Sequence, residues 1–523
     1  MNRSNVHLLD LPNEILLTIL RKLNNIDVLY SLLDINNGRL DIIAQEKTFT
    51  NILNFVHIDE ISLIDRFCMY ILPRINHNIK YFILEPNFME RILLAAVYPN
   101  LTELKLLNFE QQIASKYFTD ESSLRSVFQQ QITSLILVTN DKSARVGSSK
   151  EYTRNVYAYI LNFFKKLTHL NIIGPYVMLC PGLSLRDLPS TTFYSSILTH
   201  LCIIVENFDD CLYLLDGRLK QLTTFNVNVY SIDTSSTIVH NTDMLPNLKC
   251  FSLKSYFRNQ QYEKIPSLLR RMPYLEHLTL YLSIKGRNRI IDGTCVQDDI
   301  LVHVPQLHSF TFYISTYIDI GDLSHNLSHE HIQQTLINIG QQNATSIINN
   351  LGTCVVECSI FSLPFSFDYL LYLGNIFPNI VFNYVTYLLV QDRDGFKHEF
   401  FVRIARSFPL LKYLRIYNIK PQVSTDPTLS SDHSQSYSMI EYPHLMSLDV
   451  AYSNQCYLEQ FLNETKACVP CLTELAVSHY DLKIVTNNFT REETRRNCAK
   501  VKQLVPIQLL DNSQDFYHYF PSL

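Results

Sequence analysis

Residues 98–109 read YPNLTELKLLNF, and the phrase returns along the chain. MPYLEHLTLYL (272–282), LPNLKCFSLKS (245–255), VPQLHSFTFYI (304–314), FPLLKYLRIYN (408–418), YPHLMSLDVAY (442–452) and VPCLTELAVSH (469–479) share its frame, apolar-Pro-x-Leu-x-x-Leu-x-Leu. Versions without the proline are KKLTHLNII (165–173), SILTHLCII (196–204), RLKQLTTFNV (218–227), QITSLILV (131–138), NIKYFIL (78–84) and, more loosely, YVTYLLV (384–390). These are about thirteen copies, mostly roughly 22 to 35 residues apart, a spacing found in repeat architectures. In LTELKL the alternation of Leu104 and Leu106 sends two side chains to one face of a strand. Leu101 begins the turn into it. The proline disfavours helix for the residue before it, so each preceding helix stops there. RILLAAV (91–97) before Pro99 and KIPSLLRR (264–271) before Pro273 read as such helices. Each unit is therefore a strand plus a helix that buries little alone and gains a continuous core by stacking. A buried Leu contributes roughly 1.5–3 kcal/mol, so three per unit can hold a long array. The competing arrangement is a set of unrelated α/β units, and a recurring leucine frame argues against it.

The totals narrow the function. The chain has 523 residues and a net charge of −5. With no basic cluster, nucleic acid is not an expected partner. Glycine is scarce at 12, which leaves few phosphate-cradling loops, and tryptophan is absent. MNRSNVHLLDLPNEILL has charges and a proline where a secretory core would be unbroken. No run of about 18 uncharged apolar residues marks a membrane span. The 12 cysteines are then expected as reduced thiols, and Asn100–Thr102 as an unglycosylated triplet. The expected location is the cytoplasm and/or nucleus.

The opening stretch DLPNEILLTILRKLNNIDVLYSLL (10–33) carries more apolar surface than one neighbour requires. Asp10 is a plausible cap and Pro12 suits a first helical turn. Ile15, Ile19, Leu23, Leu16, Leu20 and Leu17 fan over roughly 200°, where a surface helix needs about 100°. Such a helix sits deep in a core or touches two things at once. NNID (24–27) reads as a turn into a second apolar helix from Val28 to Leu33. So short a piece must lean on the rest of the chain, on a partner, or on both.

The recurring frame resembles the leucine-rich-repeat family. The resemblance implies an α/β solenoid, with a curved parallel sheet on the concave side and helices on the convex side. One departure is that Phe109, Ser283 and Ile419 stand where the family places Asn or Cys. The opening, in turn, resembles an F-box over about 40 residues. Leu11, Pro12, Glu14, Ile15, Ile19, Leu20, Leu23, Asp27 and Val28 fill that family's pattern. DINNGRLDIIAQ (34–45) replaces its usual basic stretch and Trp. The F-box resemblance implies docking of those nine residues on a Skp-type adaptor and, through it, on a cullin. It implies a substrate-recognition subunit of an SCF-type ubiquitin ligase whose repeats hold a protein client. The alternative is a non-catalytic leucine-rich-repeat scaffold without ligase association, its opening helices merely capping the array. The expected organisation is an F-box-like domain at 5–48, a helical linker or first repeat helix at 49–78 and a solenoid at 79–510. The solenoid has an irregular interval at 315–384 around CVVECSIF (354–361) and a mobile polar loop at 420–438. A tail follows at 511–523.

In this frame the x positions face away from the core and pave the sheet. His277, Tyr281, Tyr313, Tyr387, Tyr413, Arg415, Tyr417 and Asp449 are the candidate client residues, with Lys254, Thr279, Thr311, Gln391 and Glu474 in the same set. Tyr and Arg most often anchor interfaces. The earlier strands offer Leu107, Ile136, Val138, Ile173 and Ile204 there, which calls for a cover or a register shift. CVPC (468–471) lacks the second close pair that zinc requires and reads as buried thiols. DRDG (392–395) lacks calcium-loop spacing and reads as a turn. His169, His200, His277 and His308 recur in strands as repeat drift. Asp209–Asp210 and Glu492–Glu493 read as solvated surface. No catalytic residue, metal or cofactor is expected of the chain itself.

Overall fold

The computed structural model describes residues 10–33, 35, 37–58, 60–139, 149–174, 182–232, 243–322, 328–352, 354–422, 439–506 and 514–523. The chain divides into two compact units, Met1–Tyr281 with His303–Ser309, and Leu282–Val302 with Phe310–Leu523. Both are mixed α/β with mostly parallel sheet.

The first unit opens with helices α1 (Asn13–Leu20), α2 (Asn25–Leu32) and α3 (Gly38–Ala44). Asn24 and Asn37 start the second and third by accepting backbone N–H bonds from Ile26, and from Arg39 and Leu40. Asp10 does not cap α1. The cap position is Pro12, which has no side-chain acceptor to offer. Strands follow in order: β1 (Ile52–Asn54), β2 (Tyr81–Leu84), β3 (Glu103–Leu106), β4 (Ser134–Val138), β5 (His169–Ile173), β6 (His200–Asn207), β7 (Thr224–Ser231) and β8 (Cys250–Asn259). Each pairs in parallel with the next. The segment 49–78, expected to be helical, thus carries the strand β1 before its helix at Ile61–Arg66.

Register explains the recurring phrase. Phe82, Leu104, Leu135, Leu170, Leu201, Phe225 and Phe251 stand opposite one another in one row, all buried. Behind them an aromatic cluster fills the space toward the helices, with Phe118 against Phe128 at 5.5 Å and Phe164 at 5.0 Å. The turns carry a second repeat that the leucine frame hides. The hydroxyls of Thr133, Thr168, Thr199 and Thr223 donate to the carbonyls of Thr102, Thr133, Thr168 and Thr199, at 3.4, 3.1, 3.1 and 3.1 Å. Each such bond contributes about 0.5–1.5 kcal/mol and stitches one unit to the next at the strand entries.

Strand β9 (His277–Lys285) crosses the division in the chain. Next, β10 (Ser309–Asp319, in the second unit from Phe310 on), β12 (Val355–Ser362) and β11 (Ala344–Asn350) lie side by side and antiparallel, in that spatial order. The irregular interval is therefore a reversal of strand direction. β13 (Tyr369–Leu373), β14 (Tyr387–Val390), β15 (Tyr413–Ile416), β17 (Ser447–Asp449), β19 (Glu474–Val477) and β20 (Gln503–Pro506) form a parallel sheet. Between them, β16 (Ile440–Glu441) pairs with β18 (Ala467–Cys468). The leucine frame repeats its work here: Leu388, Leu414, Leu448 and Leu475 are in register and buried. The expected tail contains a helix, Gln514–Tyr519, whose Phe516 and Tyr519 pack on Phe489 at 5.2 and 5.9 Å. Of the expected mobile loop, 423–438 lies outside the described residues.

Candidate functional site

Two surfaces gather the sequence candidates. The first is α1. Its inner side, Leu16 and Leu20, is 0 % and 5 % exposed, whereas Ile15, Ile19 and Leu23 are 48 %, 41 % and 52 % exposed. Ile15 and Ile19, four apart, share one face of α1 and form an apolar ridge pointing outward, and Leu23 adds a third exposed apolar side chain in the turn just past the helix end. Pro12 and Glu14 are exposed and Leu11 is half-buried at its start. Asp27 is exposed on the first turn of α2. Leu20 and Val28, expected at the adaptor, are instead buried inside the chain's own fold.

Arg39, unmarked in the sequence reading, fixes the ridge. Its Nε donates to Asn13 Oδ1 at 2.8 Å and a second guanidinium nitrogen donates to the Leu11 carbonyl. The start of α3 thereby clamps the start of α1. Arg66 secures the far side, donating to the Leu33 carbonyl at 3.0 Å while lying over the Tyr30 ring at 4.3 Å.

The second surface is one face of the parallel sheet of the second unit. Tyr387, Tyr413, Ser447 and Glu474 stand in one cross-strand row. Leu389, Arg415, Asp449 and Ala476 form the next. The Tyr387 and Tyr413 rings stack, with centroids 6.5 Å apart. Arg415 Nε meets Asp449 Oδ2 at 3.1 Å. Burial pushes the Tyr387 hydroxyl up, against the pull of the Arg415 cation that hydrogen-bonds it. Tyr417 is exposed at the strand exit. It packs at 6.2 Å on Tyr452, which the period-2 reading missed because that residue follows its strand.

The remaining client candidates separate from this face. His277 is exposed at the start of β9. Tyr281 sits in a run, Leu280–Ile284, buried on both faces. Tyr313 is buried too: Phe361 and Phe365 cover it at 6.2 and 6.0 Å, and its hydroxyl lies 3.3 Å from the buried Glu357. Both are corrections. For Tyr313 the cause is the antiparallel strand, whose weak phrasing hid the side chains that cover β10.

Other expectations resolve locally. Asp209 and Asp210 are buried instead of solvated. Asp210 closes a capping box with Asn207 and accepts the Leu185 N–H at 2.6 Å. Burial, above all, raises its carboxyl to about 6. Asp392 shapes its turn by accepting the Asn375 and Asp394 N–H groups at 2.6 and 3.0 Å. Cys468 and Cys471 are free thiols, half-buried and exposed, which corrects the buried reading of the second. Among the described residues no three His, Cys, Asp or Glu side chains converge as metal ligands. No helix among them is long and apolar enough to cross a membrane.

No family model matches the chain. No curated protein matches it either. Among solved structures 13 chains match. One belongs to the crystal structure of the Rad7 and Elc1 complex in yeast, similar at a TM-score of 0.33 and 11% identity over 81% of this chain and 88% of that chain.

Proposed function

We propose that the chain is the substrate-recognition subunit of a cullin-based, SCF-type ubiquitin ligase. In this reading α1–α3 act as an F-box that docks on a Skp-type adaptor, and the leucine-rich repeats hold a protein client. The subunit would work in the cytoplasm or nucleus, and bond chemistry would belong to its partners. The observation that carries the reading is the outward ridge of Ile15 and Ile19, with the exposed Leu23 just past the helix end, beside the inward Leu16 and Leu20. A helix that served only to cap the array would turn its apolar arc to its own core. This one divides the arc, and covering each half-exposed side chain would contribute roughly 1 kcal/mol to a complex.

The experiment is co-purification with a Skp-type adaptor. The wild-type chain should retain it, and an Ile15→Ala, Ile19→Ala, Leu23→Ala variant of unchanged melting temperature should lose it. Equal adaptor recovery from both would favour a scaffold without ligase association.

A further inference from the structure

On the sheet face of the second unit a small side chain stands between two larger ones, which leaves a notch in the row. Ser447 lies directly between Tyr413 on one neighbouring strand and Glu474 on the other. Adjacent strands are about 4.8 Å apart, so the ring and the carboxylate stand roughly 10 Å apart across a small side chain. The Tyr413 ring is backed by Tyr387 and held upright by that stack. The one cation of these two rows, Arg415, is already engaged by Asp449 and by the Tyr387 hydroxyl. Among the described residues nothing forms an ion pair or side-chain hydrogen bond with Glu474, neither Gln503 opposite it on the next strand nor Lys412 and Lys502 at the strand entries. The two rows therefore carry a net negative charge, placed opposite an aromatic face.

We infer that this notch receives the side chain of a lysine or arginine carried on an extended peptide segment of the client. The cation lies over the Tyr413 ring, which attracts it through the ring quadrupole. Its far side meets the Glu474 carboxylate, and Ser447 leaves the room. The Arg415–Asp449 pair forms the adjoining wall and is not displaced. The inference rests on the reading of this sheet as the client face and adds the chemistry of the client.

The test uses the full chain and two fluorescein-labelled Gly/Ser peptides, one carrying arginines and the other glutamates at the same positions, read by anisotropy. The arginine peptide should bind and the glutamate peptide should not. Glu474→Gln and Tyr413→Ala should each weaken the arginine peptide by about fivefold, the size expected of one exposed cation–π contact or ion pair. Glu492→Gln, at an exposed helix start in the same unit, should leave it unchanged. Equal binding of the two peptides would overturn the inference, as would full binding by Glu474→Gln. Equal weakening of both peptides in Tyr413→Ala, with no charge preference between them, would also overturn it while leaving the client face standing. Adaptor co-purification is unaffected by any of these changes and tests the ligase reading separately.

Discussion

His169 and His200 stack face to face on adjacent parallel strands, with ring centroids 4.0 Å apart and planes 14° from parallel. Each ring nitrogen Nδ1 lies 2.8 Å from the hydroxyl of the threonine before it. Ser134 and Thr224 are the next side chains in the row, so among the described residues no carboxylate flanks the pair in its row to offset a proton. Partial burial lowers both imidazoles, and the charge of His169 lowers His200 further. A lowered histidine contributes stability that is full above its ordinary value of about 6.5 and is lost as pH falls through it. The melting temperature should drop between about pH 7 and pH 5, and the drop should shrink in His169→Asn. A drop of the same size in the variant would remove this pair as its cause.

Asp210 should act with the opposite sign. Its carboxyl is raised to about 6, chiefly by burial, with the Leu185 and Asn207 N–H groups opposing the rise. Its contribution is present at low pH and is lost as pH rises through about 6. Asp210→Asn cannot ionise and keeps one of the two acceptor oxygens, so its stability relative to wild type should rise from about pH 4 to about pH 6 and level off above. Asp210→Ala loses the cap and cannot ionise either, so its cost, about 1–2 kcal/mol at low pH, should shrink as pH rises through about 6. Chemical denaturation across pH separates the two.

Neighbouring residues of α1 should respond very differently. Leu16 is fully buried, and Leu16→Ala should cost about 2–5 kcal/mol in a denaturant midpoint. Ile19 is largely exposed, and Ile19→Ser should stay within about 0.5 kcal/mol. If Ile19→Ser unfolded the chain as readily as Leu16→Ala, the ridge would be part of the core.

The threonine ladder predicts a cost for an isosteric change. Thr223→Val keeps the shape and removes the hydroxyl that donates to the Thr199 carbonyl. It should lower stability by about 1 kcal/mol and speed amide exchange at the entry of β7. Unchanged exchange there would show that the backbone pairing alone holds the strand entries.

The leucine phrase was legible because period and burial coincide. Its positions in β2–β8, β14, β15, β17 and β19 are strand residues with their leucines, or the apolar residues replacing them, turned inward. The ridge on α1 was half legible. Periodicity showed that the apolar arc was too wide, but every residue in the arc counted equally, so Leu20 was grouped with Ile19. Arg39 carried no signal, because its partners Asn13 and Leu11 are brought to it only when α3 folds back.

By itself, then, the order of residues determined where strands and helices form, since those depend on neighbours one to four places away. It also marked Tyr387, Tyr413, Arg415 and Asp449 as one outward face, because alternation along a strand is local. Only the tertiary structure decided that Tyr313 is covered while Tyr413 is not, that Asp210 is buried, and that Glu474 faces Tyr413 across Ser447. Those facts depend on which strand lies alongside which, and strand pairing is set by contacts between residues far apart in the chain.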